Sequence, residues 1–186
     1  MLQLCSQFCK ENCLTINDGK TKTMMFGWNH SKPVEPLSLN NSQIEMVTYW
    51  KYLGTTVVAG NHLSFSATGD IRTFYCAFNS IFSVTNGFDE CVLLKLLYTN
   101  CVSIIICDIG VKRYSGTQKM CCNTAVNHAI RKIFTLQRYQ SIRFLRENSN
   151  FKSLTELIAI TKRKFETSLH LIPNNVIKYL LRINVI

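Results

Sequence analysis

A chain of 186 residues that is 47% hydrophobic and 17% charged can bury a core as one large domain or two small ones, and this excludes a disordered chain. Its net charge of +10 is uneven: residues 1–111 carry 7 Lys/Arg and 8 Asp/Glu, whereas residues 112–186 carry 14 and 3. A field of that sign attracts polyanions, either nucleic acid or an anionic surface, with a merely solvated basic face as the alternative.

In chain order, Leu2, Cys5, Phe8, Cys9 and Cys13 fall near i, i+3, i+4 spacing and predict an amphipathic helix over 2–12. A short strand is expected over Cys13–Asn17. Asp18-Gly19 then reads as a tight turn into a second strand, Lys20–Phe26, because such turns favour positive φ at both central positions. Gly27–Pro36 is a polar loop broken by Pro33 and Pro36. Leu37–Asn40 and Gln43–Val47 suggest a hairpin around Asn40-Asn41, and Tyr49–Val58 is a strand region rich in aromatic and β-branched residues.

Beyond Gly60 the period becomes helical, with Ile71, Phe74, Phe78, Ile81 and Phe82 on one face. Asp89 is placed to cap a helix over 90–107. Further helices are expected over 117–134, with Ala125, Ile130 and Ile133 inward, and over 142–146, 153–169 and 174–183. The apolar stretch Val92–Gly110 contains Lys95, Asn100 and Asp108. A charge near the middle of a membrane span costs about 3 kcal/mol, so a buried helix is expected there and no membrane partner.

Nine cysteines are an odd number, and no amino-terminal stretch joins a basic start to an apolar core and a small-residue cleavage site. Reduced thiols in an intracellular chain, nuclear or cytoplasmic, are therefore expected. The cysteines and four histidines have no zinc-ribbon spacing, so no metal site is expected.

Certain residues within this order carry a resemblance. Asn17 is followed by Lys20-Thr21 and an apolar run, Met24–Phe26; Leu39-Asn40-Asn41 precedes Ile44–Val47; then comes Trp50-Lys51-Tyr52-Leu53-Gly54. The sequence resembles the end of the palm and the thumb of non-LTR (LINE-type) retrotransposon reverse transcriptases, whose primer grip has an aromatic-Lys-Tyr-Leu-Gly motif. Downstream, Leu93–Gly110 resembles that family's thumb helix, although Ser103 stands where Pro is common and Cys107 near where Tyr is common. Asn127–Phe134 and Gln140–Arg146 resemble the connecting helices beyond it.

The resemblance implies an α+β fold: short antiparallel hairpins followed by a helical thumb and connection bundle. It implies boundaries at 1–60 for the end of the palm, 61–135 for the thumb-like helices and 136–186 for the basic connection. It implies a primer grip at Trp50, Lys51, Tyr52, Leu53 and Gly54, with Gly54 letting backbone approach backbone. Lys20 would match the lysine that follows the catalytic hairpin.

Reverse transcription is phosphoryl transfer through two Mg²⁺ ions held by carboxylates. The family's metal-binding aspartates lie upstream of the segments matched here, and no Asp-Asp pair occurs in this sequence. Hence no catalytic residue, no bound Mg²⁺ and no polymerase activity from this chain alone are expected. An upstream palm polypeptide is the protein partner the resemblance implies; oligomeric state is left open.

Residual binding of RNA or an RNA–DNA hybrid is the remaining expectation, with Arg131, Lys132, Arg138, Arg143, Arg146, Lys162, Arg163 and Lys164 as phosphate-contacting candidates. Phe134, Tyr139 and Phe144 lie among them; at helical spacing they are expected in the core, with stacking on bases as the alternative. A non-catalytic binding module and a decayed reading frame without selected activity stand as alternatives.

Overall fold

The computed structural model describes residues 2–32, 34–39, 42–85, 87–149 and 151–177. The chain divides into two compact units, Met1–Ser66 and Ala67–Ile186. Short, mostly antiparallel strands and several helices make it an α+β protein.

The first unit opens with helix α1 (Leu2–Glu11), which buries none of its residues. Cys13 ends it with φ 52°; Leu14 N–H donates to Cys9 C=O at 2.8 Å and Cys13 N–H to Lys10 C=O at 3.3 Å. This is the Schellman closure, usually made by glycine. The expected strand over Cys13–Asn17 does not form. Instead the Asn17 side chain accepts from Lys20 N–H at 3.0 Å and folds Asp18–Lys20 into a 3₁₀ turn. Gly19 is not among the positive-φ glycines, so the Asp18-Gly19 hairpin is absent. The local side-chain bond competes with strand pairing and wins.

The expected strand Lys20–Phe26 shrinks to β1 (Lys22–Thr23). Next, β2 (Ser38–Leu39) pairs antiparallel with β3 (Ser42–Gln43), and the turn at 40–41 lies outside the described residues. Then β4 (Glu45–Met46) pairs with β1 in parallel. The region Tyr49–Val58 is two strands, β5 (Tyr49–Tyr52) and β6 (Thr55–Val58), in register Tyr52↔Thr55. Leu53 and Gly54 turn between them at φ 47° and 84°, the signature of a two-residue primed turn. Finally β7 (Ser64–Phe65) joins β6. Among the described residues of this unit, Leu39, Ile44 and Phe65 are the buried apolar ones.

In the second unit, α2 (Thr68–Val84) buries Phe74 and Phe78 as its spacing predicts. The Asp89 carboxylate accepts from Cys91 N–H at 2.8 Å and caps α3 (Glu90–Leu96). A π-helical segment (Leu97–Val102) and α4 (Ser103–Ile106) continue it. Thr99 and Ser103 return their hydroxyls to Lys95 C=O and Asn100 C=O, both at 2.9 Å. Such back-bonding competes for helix carbonyls and loosens the α-ladder.

Ser115 with Gln118, and Ser153 with Glu156, form capping boxes at the starts of α5 (Gly116–Ile133) and the last long helix. Between them lies α6 (Arg143–Ser149); the last is α7 (Leu154–Leu171). Residues 175–177 are helical, and the rest of the helix expected over 174–183 lies outside the described residues. Gly110 lets α7 close in: a Cβ there would lie 2.6 Å from Phe165 Cγ.

Among the described residues of this unit, one charged group is buried. Lys112, 3% exposed, places Nζ 2.9 Å from Asp70 Oδ2 in the first turn of α2, and the Tyr114 hydroxyl donates to the same oxygen. Burial first, then the bond to Asp70 and its charge, hold the Tyr114 phenol above its ordinary range. Burial, helped by Asp70, pushes the Cys122 thiol up to about 11. The cluster ties the start of α2 to the loop before α5.

Candidate nucleic-acid interface

The end of α5 organises a basic surface of the second unit. Arg131 and Lys132 occupy its last turn, where cations complement the helix dipole. Thr135 then takes φ 51°, and Leu136 N–H donates to Arg131 C=O at 2.8 Å. This closure turns the chain back along α5 and brings Arg138 to the same face.

The result is an open groove of about 520 Å³. Tyr75, Phe78 and Asn79 of α2 form one wall; His128, Ala129, Arg131 and Lys132 of α5 form the other; Leu136 and Arg138 close the end.

Two of its cations, Arg131 and Lys132, are held by neutral partners. Lys132 Nζ donates to Asn79 Oδ1 at 3.1 Å and lies 4.8 Å from the Phe82 ring centroid. Arg131 Nε donates to Gln140 C=O at 3.0 Å. Neither bond neutralises a charge, so the positive potential stays available to a ligand while the side chains are pre-positioned. The Tyr75 phenol is protonated at neutral pH, as any tyrosine is, and burial pushes its pKa further up, so its hydroxyl can donate. Fixed cations and donors on an open wall suit phosphate oxygens.

The other predicted basic residues scatter. Arg163 and Lys164 line a smaller groove of about 380 Å³ along α7, with Ile160, Thr167, Ser168 and Leu171, and Lys162 is not in that lining. Arg143 Nε pairs with Glu147 Oε1 at 2.8 Å on the surface of α6. Arg146 turns inward, with Nη2 donating to Asn127 Oδ1 at 2.6 Å and Nε buried, so packing claims it rather than a free phosphate. His128, Tyr75 and Asn79 were not singled out by sequence, because only the packing of α2 on α5 places them beside the arginines.

The expectation that Tyr139 and Phe144 belong to the core is corrected. They are 86% and 74% exposed. Phe134 is half-buried at the end of α5. The helical spacing behind that expectation breaks at Thr135.

In the first unit, Lys20 is exposed within the 3₁₀ turn. Trp50 is half-buried, whereas Lys51, Tyr52, Leu53 and Gly54 are exposed. Gly54 has no atom within 4 Å of where a Cβ would stand, so its need is positive φ in a turn rather than a close backbone approach. Lys22, which sequence reading passed over, pairs with Glu45 at 2.6 Å and lies 5.4 Å from the Trp50 ring centroid.

Among the described residues no three His, Cys, Asp or Glu side chains converge as a metal site would require. The described residues do not fit the carboxylate-held Mg²⁺ pair that the resembled family uses. Among the described residues no helix is long and apolar enough to cross a membrane. No family model matches the chain, and no curated protein or solved structure matches it.

Proposed function

We propose that this chain is a non-catalytic nucleic-acid-binding polypeptide related to the end of the palm and thumb of non-LTR reverse transcriptases. It binds RNA or an RNA–DNA hybrid through its phosphates, without sequence preference. The observation that carries this reading is the groove in which Arg131, Lys132 and Arg138 converge opposite Tyr75. The family part of the proposal rests on the segments from Asn17 to Gly54 and from Leu93 to Arg146.

Phosphate binding by lysine and arginine releases condensed counterions, so affinity falls steeply with salt. The test is binding of the purified chain to an RNA–DNA hybrid between roughly 50 and 200 mM salt, with and without Mg²⁺. Affinity is expected to drop with salt and to need no Mg²⁺, which acts only as a further competing counterion. In the variant Arg131→Glu/Lys132→Glu/Arg138→Glu, affinity is expected to fall and the salt slope to flatten by about one for each phosphate no longer neutralised. Equal affinity and slope in that variant would remove the groove from the proposal.

A further inference from the structure

We propose that the segment following the groove, residues 137–144, is a platform for single-stranded nucleic acid. Unstacked bases lie on Tyr139 and Phe144 while Arg138 and Arg143 hold the adjoining phosphates. The inference rests on the nucleic-acid reading and narrows it to one class of strand.

Tyr139 and Phe144 face water at 86% and 74% exposure, each directly after an arginine. No acidic residue occurs between Phe134 and Phe144. An exposed ring has a face for every base, and a guanidinium beside it supplies charge for the strand. Paired bases in a duplex are already stacked and closed to these rings, so ring exposure discriminates by strandedness rather than by sequence.

The segment is shaped before any ligand arrives. Gln137 N–H donates to Gln140 Oε1 at 2.7 Å, and Gln140 N–H returns to Gln137 C=O at 3.0 Å. Arg131 Nε, in the groove wall, clamps Gln140 C=O, and the buried Ile142 anchors the start of α6. Rings presented on a fixed turn lose little freedom on binding. The Arg143–Glu147 pair has both partners largely in water, where such pairs contribute little, so Arg143 can trade its carboxylate for a phosphate. Arg138 belongs to both the groove and the platform, so one strand can run from one to the other.

The test uses the full chain with two labelled probes: an oligouridylate of roughly 12 nucleotides and an RNA–DNA hybrid without overhangs. Wild type is expected to bind both. Tyr139→Ala and Phe144→Ala should each weaken the single strand about 5- to 150-fold and leave the hybrid within about twofold. Tyr139→Phe should keep single-strand affinity, because it keeps the ring. Both positions are exposed, and an unchanged circular dichroism spectrum confirms that the variants fold.

If the double alanine variant holds the oligouridylate as tightly as wild type, the platform is overturned while the groove stands. If wild type binds neither probe at low salt, the nucleic-acid reading fails and the platform with it. If polyglutamate displaces the oligouridylate from wild type at equal charge concentration but not from the double variant, the rings serve an acidic protein instead, which also overturns the inference.

Discussion

The two units solve the problem of stability differently. Among the described residues, three apolar side chains of the first unit are buried, against twenty-one in the second. The first also leaves twelve large apolar side chains exposed, including Leu4 and Phe8 of α1 and Trp28 in the loop. Each large buried side chain contributes about 1.5–3 kcal/mol against the chain entropy. The first unit therefore hangs on backbone pairing and turn chemistry, the second on packing. Hydrogen exchange should show slow amides in α2, α4 and α5 and fast ones through β1–β7.

The largest single effect should come from the buried ion pair. Asp70→Ala leaves the Lys112 ammonium without its carboxylate and Tyr114 without its acceptor. Removing one partner of such a pair costs about 3–5 kcal/mol. Amide protection in the second unit should drop accordingly, while that in β1–β7 stays unchanged. Asp70→Leu combined with Lys112→Met should recover most of the loss. Equal loss in both units would show that they unfold together and would break the comparison.

Gly110→Ala ranks next. The added methyl meets the Phe165 ring, so α7 must retreat at a cost of about 1–3 kcal/mol. Denaturant unfolding followed at α7 reads this out. A neutral result would mean that α7 is not packed tightly on that loop.

High pH separates the units without mutation. The Cys122 thiol ordinarily titrates at 9 and is pushed up to about 11 in the fold, and the Tyr114 phenol is raised above its ordinary 10. Below pH 9 both are protonated in folded and unfolded chain alike, so their contribution is fully present. Above it the unfolded chain releases protons that the folded chain keeps, and stability is lost as pH rises. Melting temperature should fall from pH 9 upward. Cys122→Ala should flatten the first part of the fall and Tyr114→Phe the part beyond pH 10.

Sequence reading succeeded where the signal is local. The cap at Asp89 and the apolar faces of α2 and α5 follow from nearest-neighbour chemistry, and the described long helices lie close to where they were expected. It failed where two local solutions compete: Asp18-Gly19 looks like a hairpin turn, but Asn17 captures Lys20 first. Long-range placements were not legible either. Nothing near Asp70 in the sequence announces Lys112, forty-two residues on. Only Arg131, Lys132 and Arg138, of the eight basic candidates, share the α2–α5 groove, because Thr135 turns the chain back there.

The smallest effect tests the first unit at its weakest joint. Leu53 is 84% exposed and holds φ 47°, so it contributes almost no packing and carries the strain of a left-handed backbone. For a residue other than Gly, Asn or Asp that conformation costs roughly 1–2 kcal/mol, whereas Asn-Gly is the preferred pair for this turn. Leu53→Asn should therefore stabilise the β5–β6 hairpin by up to about 1 kcal/mol, read as slower exchange of the Tyr52 and Thr55 amides. The same variant also divides turn from site. If Leu53-Gly54 is a turn only, RNA–DNA hybrid affinity stays constant as the hairpin tightens. If the leucine touches a primer end, as the primer-grip resemblance implies, affinity falls while stability rises, because the asparagine that relaxes the turn no longer offers the primer an apolar side chain.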